Sequence, residues 1–170
     1  MMSNNPDIEL DNSPFIPLTK PQYIDRTFEK GMGVDFYIDG LRFLPDNVTV
    51  VKVAVQIVNI DFDIIKSAES NLPDLNSPTY NPLFNFRIEI RPQYFHPTTL
   101  AFISIDTIDK ASNEAKIVGY SGINLFINRF SKKQPENNND TDIVLLSGNY
   151  QLPIYCQEPF RTKPFNMEKM

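Results

Sequence analysis

The chain carries one histidine and one cysteine, His96 and Cys156, so a Cys–His nucleophile pair would have to bring these two residues together. His96 stands in Phe95-His96-Pro97-Thr98, where the proline holds the preceding residue out of the helical region. That context reads as a turn between strands, with Cys156 a buried or edge residue. No HExxH, GxSxG, P-loop or GxGxxG pattern occurs, and Gly31-Met32-Gly33 precedes a strand rather than a helix, as a chain-entry turn does. Carboxylates are plentiful, but nothing places a pair of them in a cleft. The chemistry-bearing residues therefore predict no enzyme and no cofactor. The sequons at Asn47-Val48-Thr49 and Asn139-Asp140-Thr141 matter only in a secreted chain.

Residues this sparse in chemistry direct attention to the scaffold. At 170 residues the chain suits one domain with tails, and 41% hydrophobic and 12% aromatic residues against 22% charged are the proportions of a folded protein. No uncharged apolar stretch approaches the roughly 20 residues that span a bilayer, and MMSNNPDIEL lacks the basic and apolar regions of a signal peptide. With its single cysteine, the chain reads as cytoplasmic. A net charge of -5 argues against sequence-blind binding to nucleic acid, which needs a basic surface to displace counterions.

The 14 prolines and 6 glycines mostly punctuate apolar runs. Residues 1–30 hold Pro6, Pro14, Pro17 and Pro21 and read as an extended arm, whose Phe15, Ile16, Leu18, Tyr23 and Ile24 would pack along the domain or a partner. Period-two alternation then begins, with Val34, Phe36 and Ile38 facing opposite to Asp35, Tyr37 and Asp39. Val48 to Val58 sets Thr49, Val51, Val53, Val55 and Ile57 against Val48, Val50, Lys52, Ala54 and Gln56. In Asp61 to Leu72 a short strand and then a loop are expected. Phe84, Phe86, Ile88 and Ile90 alternate with Asn85, Arg87, Glu89 and Arg91. Leu100 to Ile105 follows, then Ile117 to Ile127, interrupted at Gly119 and Gly122. Ile143 to Leu146 and Tyr150 to Tyr155 read as a hairpin across Ser147-Gly148-Asn149. Ser131 to Asp142 is a polar loop, and residues 157–170 form a Pro-containing tail. Short strands at this spacing predict an all-β fold, an eight-stranded antiparallel β-sandwich over residues 31–156.

Over Gly31 to Cys156 the order of words resembles the C2 domain family. VDFYIDGLRFLPDN is similar to that family's opening strand with its Leu-Pro turn, and VTVVKVAVQI to its second strand. Thr79, Asn81, Pro82, Phe84 and Asn85 match its Thr-x-Asn-Pro-x-aromatic-Asn turn, and AFISIDTIDKASNEAKIVGYSGINLFI its strand, acidic loop and return strand. The NP word has a physical reading of its own, since Pro82 fixes φ and Asn81 bonds nearby backbone, so the pair launches the Phe84 strand.

The resemblance implies where calcium would sit. Many C2 domains hold Ca²⁺ between carboxylates on two loops, and the matching positions here are Asp46, in a shortened turn, and Asp106 and Asp109, with Glu114 further on. A hard cation needs about six to eight converging oxygens, so three aspartates with altered spacing predict solvated loop residues and a calcium-independent domain. A lipid site without calcium would need a basic cluster with exposed apolar loop tips. Lys52, Arg87 and Arg91 are diluted by Asp35, Asp39 and Glu89, and read as ordinary outward strand charges. The expected function is a non-catalytic interaction module that docks or scaffolds a protein partner, in a setting that the resemblance makes cytoskeletal or ciliary. The alternative is a peripheral module binding membrane phospholipid with weak calcium dependence through Asp46, Asp106 and Asp109.

Overall fold

A computed structural model describes residues 26–59, 63–92, 95–135 and 142–156. Eight strands follow one another: β1 (Val34–Gly40), β2 (Val48–Val58), β3 (Ile64–Glu69), β4 (Leu83–Ile90), β5 (Leu100–Asp109), β6 (Ala115–Asn124), β7 (Phe126–Asn128) and β8 (Ile143–Leu145). All pairings are antiparallel, with β3-β2-β5-β6 as one sheet and β1-β4 and β7-β8 as the elements facing it. This is an all-β antiparallel sandwich, and no helix occurs among the described residues.

The core lies where the period-two pattern directs apolar side chains inward. Val53, Val55, Ile57, Ala101 and Ile103 meet Ile88, Ile90, Phe95, Phe126 and Val144, all buried. Phe126 takes Phe28 and Phe95 edge-on, with centroids 4.9 and 5.4 Å away. A smaller cluster of Leu44, Val48, Val51 and Ile105 seals one end.

Register shifts depart from plain alternation at four places, one of them in β3, where Ile65 lies between the partners of Ile57 and Val58. Val48 pairs with Asp109 but Val51 with Thr107, so β2 carries an extra residue; this bulge turns both Val48 and Val51 inward and leaves Thr49 exposed, where strict alternation had put Thr49 with the valines. In β4, Phe84 and Asn85 lie between the partners of Ile38 and Gly40, and Asn85 sits at φ 47°, a left-handed position that asparagine tolerates better than most residues. In β6 the extra residue is Val118, beside Gly119. A Cβ on Gly119 would stand 2.5 Å from Ile154 Cγ2 and 2.7 Å from Tyr155 O, so this glycine admits the chain's closing segment. The interruption expected within Ile117–Ile127 at its glycines is met by this bulge beside Gly119, and a second break falls at Leu125, between β6 and β7.

Two expectations are corrected. Ile143 to Leu146 and Tyr150 to Tyr155 do not form a hairpin: β8 pairs with β7, and Tyr155 bridges Tyr120 on β6. Ser147-Gly148-Asn149 carries the chain from one sheet to the other, with Gly148 at φ 143° and the Tyr150 hydroxyl donating to Ser147 O at 2.9 Å. The strand expected to end at Ile105 runs on to Asp109. In the ambiguous Asp61–Leu72 stretch, β3 occupies Ile64–Glu69, while residues 61–62 lie outside the described ones. Arg26 to Phe28 add to β8 through a Thr27–Val144 bridge and Phe28 N donating to Ile143 O. Residues 1–25 of the arm, residues 136–141 of the polar loop and the tail 157–170 lie outside the described residues.

Candidate functional site

Continuation of β5 through Asp109 decides the fate of the three aspartates. Side chains alternate along a strand, so Asp106 and Asp109, three residues apart, project to opposite faces and cannot converge on one ion. Asp109 is buried and occupied. Its Oδ1 accepts from Ala111 N, Ser112 N and Ser112 Oγ at 3.1, 2.9 and 3.0 Å; its Oδ2 accepts from Asn47 Nδ2 at 2.8 Å and lies 3.4 Å from Lys116 Nζ. The Ser112 N–H and the Asn47 amide hold its carboxyl far below the usual range, against the opposing effect of burial. Asp109 builds the β5–β6 turn, which closes with Asn113 at φ 55°.

Asp106 lies opposite Lys52 on the outer face of the four-stranded sheet. Burial and then the negative charge of Glu69 push its carboxyl up, and Lys52 partly offsets them. Asp46 is exposed in the β1–β2 loop. Among the described residues, no group of three or more His, Cys, Asp or Glu is placed to hold a metal ion.

The other candidates are similarly dispersed. His96 Nδ1 lies 2.6 Å from Thr98 Oγ1, and its carbonyl accepts from Thr99 N and Oγ1, making the turn into β5. Cys156 is exposed just beyond the Tyr155 bridge. Lys52 pairs with Glu69 at 3.5 Å on one sheet, whereas Arg87 and Arg91 share Asp35 at 3.0 and 2.6 Å on the other. The three cations form no common cluster.

Where the structure concentrates exposed apolar side chains is the end at which β1 leaves and β4 enters. Gly40 allows this junction, since a Cβ there would stand 2.6 Å from Pro82 O. Three bonds then join the β1–β2 loop to the turn before β4: Leu41 N to Pro82 O at 2.9 Å, Leu44 N to Tyr80 O at 3.0 Å, and Phe43 N to Asn81 Oδ1 at 2.9 Å. On its other side the same loop is fixed to the β5–β6 turn, through Asn47 Nδ2 on Asp109 and Lys110 N on Asn47 O at 2.8 Å. Leu44 points into the small core beneath.

Phe43 points away from it. It is 86% exposed and sits at φ 59°, a conformation that costs a residue with a Cβ about 1–2 kcal/mol. Leu75 is 96% exposed on the adjacent loop, where Asp74 N donates to Leu83 O, and Leu72 and Tyr80 are more than half exposed. The sequence signal for this end was the Asn81-Pro82 word, readable as a turn but not as the clamp on Phe43. No protein-family model matches the chain, and no curated protein matches it.

Proposed function

We propose that this domain is a non-catalytic, C2-like interaction module that docks a protein partner with the loop end built around Phe43. The observation that carries the reading is the pairing of strain with exposure. A glycine would hold the Phe43 turn without the left-handed penalty, and the ring adds nothing to the core from which it turns away. Aromatic side chains fixed on rigid supports are the usual anchors of protein interfaces. The dispersal of Lys52, Arg87 and Arg91 and the occupied Asp109 favour a protein over a phospholipid surface. The C2 resemblance adds the suggestion of a cytoplasmic scaffold in a cytoskeletal or ciliary assembly.

The test compares the wild-type domain with a Phe43→Asn, Leu75→Ser variant, asparagine being chosen because it tolerates the same backbone. A protein retained by the wild type and lost by the variant, with no co-sedimentation on phosphatidylserine vesicles in chelator or in Ca²⁺, is the expected result. Calcium-dependent sedimentation on those vesicles would replace this reading with the peripheral membrane one.

A further inference from the structure

We infer that the partner presents a basic segment to this end, an apolar side chain flanked by Lys or Arg; the inference rests on the docking reading above. Between Asp39 and Asn47, and between Ser70 and Leu83, the charged residues are Asp39, Asp46 and Asp74 against Arg42 alone, and the β5–β6 turn fixed to the first of these loops adds Lys110 and Lys116 against Asp109 and Glu114, which leaves the acidic excess unchanged. Asp39, Asp46, Asp74 and Arg42 are all exposed, and among the described residues no ion pair joins any of them. The loops thus expose four apolar side chains, Phe43, Leu72, Leu75 and Tyr80, together with these aspartates. The negative charges of these aspartates are not neutralised locally, so they repel an anionic bilayer and attract a cationic chain. The two features act differently on binding. Desolvated apolar contacts set the affinity, and the charges set the rate of encounter and its salt dependence.

The backbone geometry fits a protein anchor as well. With Phe43 N held by Asn81 and the loop fixed on both flanks, the backbone that carries the ring has little conformational freedom left to lose on binding. A groove on the partner that accepts an aromatic ring, beside a basic side chain, is the complement.

The probe is a random peptide library displayed on phage and selected on the immobilised domain, followed by affinity measurements on the synthetic peptides recovered. Peptides that combine an apolar residue with Lys or Arg should dominate. Phe43→Asn should weaken them by about 10-fold or more, and Asp39→Asn, Asp46→Asn and Asp74→Asn together should weaken them severalfold while abolishing most of the salt dependence. If Phe43→Asn weakens binding but the triple variant leaves it and its salt dependence unchanged, the docking surface stands and its basic partner does not. If Phe43→Asn changes nothing, the docking reading itself fails, as it does if the wild type sediments with neutral vesicles or self-associates through this end. Circular dichroism of both variants checks that they fold.

Discussion

Asn81 Oδ1 accepts a hydrogen bond from the backbone N–H of Phe43 at 2.9 Å, across 38 positions of sequence, and so fixes the one loop residue, among those described, that combines a left-handed backbone with an almost fully exposed ring. The bond contributes about 0.5–1.5 kcal/mol, comparable with the strain it restrains. Asn81→Ala should therefore lower the melting temperature by a few degrees, at about 2–8 °C per kcal/mol. Phe43→Gly should leave it unchanged or raise it, because relief of about 1–2 kcal/mol exceeds the glycine's added flexibility of about 0.5–1 kcal/mol. Calorimetry of the two variants decides; an equal fall in both would mean that the ring packs against the domain.

Asp109 and Asp106 should respond to pH with opposite signs. The folded state depresses the Asp109 carboxyl, so its contribution is present above the unfolded value of about 4 and is lost as the pH falls below it. Asp109→Asn should be less stable than the wild type at neutral pH, and the gap should narrow in acid. The folded state raises the Asp106 carboxyl, so ionising it opposes folding, and stability is lost as the pH rises through its folded value. Asp106→Asn should gain stability at neutral pH and lose that gain in acid. Urea titrations across the range would show both trends.

Along β4 the cost of truncation should follow depth. Ile90 is fully buried, and Ile90→Ala should cost about 2–5 kcal/mol. Phe86 is half-buried against the core, so Phe86→Ala should fall below the roughly 3–5 kcal/mol of a fully enclosed ring. Arg87, outward beside Asp35 and Glu89, should matter least. Thermal melts of the three variants test the register, and equal losses would overturn it.

Asn124 is 1% exposed, and among the described residues neither its Nδ2 nor its Oδ1 has a hydrogen-bond partner. An unsatisfied buried polar group costs about 1–3 kcal/mol, and leucine has a similar shape. Asn124→Leu should raise the melting temperature, whereas Asn124→Asp, which buries a charge, should lower it sharply.

Calcium should leave the melting curve where chelator puts it, since Asp106 and Asp109 face opposite sides of the sheet and Asp109 is already bonded. A site filled at about 100 times its dissociation constant would add roughly 2.7 kcal/mol, a shift of at least about 5 °C. A rise of that size, abolished by Asp106→Asn, is the contrary result.

The strands were legible because burial on one face imposes period two, and Val34, Val53, Ile88 and Ile103 obey it. The bulges were not, since an inserted Thr49 or Val118 looks like any other strand residue until its partner is known. Nor could spacing distinguish a hairpin at Ser147–Asn149 from a crossing between sheets: both need a glycine, and the choice rests on the edge that β6 offers at Gly119. The candidate aspartates were misplaced by one misjudged strand end. Extending β5 by four residues converted a presumed acidic loop into two opposite faces. Phe43 escaped notice for a simpler reason, as a single exposed aromatic has no periodicity to betray it.

The bridge between Thr27 and Val144 joins the first described strand segment to the last named strand. During vectorial synthesis the entering segment therefore lacks its strand partner until Val144 has left the ribosome, and any earlier contact of Phe28 with Phe126 forms without that support. The β1–β4 and β2–β5 pairings can form earlier, but completion waits on the final stretch, through Tyr155. A nascent chain that has emerged only as far as Asp142 would thus have every strand of its central sheet available and one flank unsealed, the state in which a chaperone would find it.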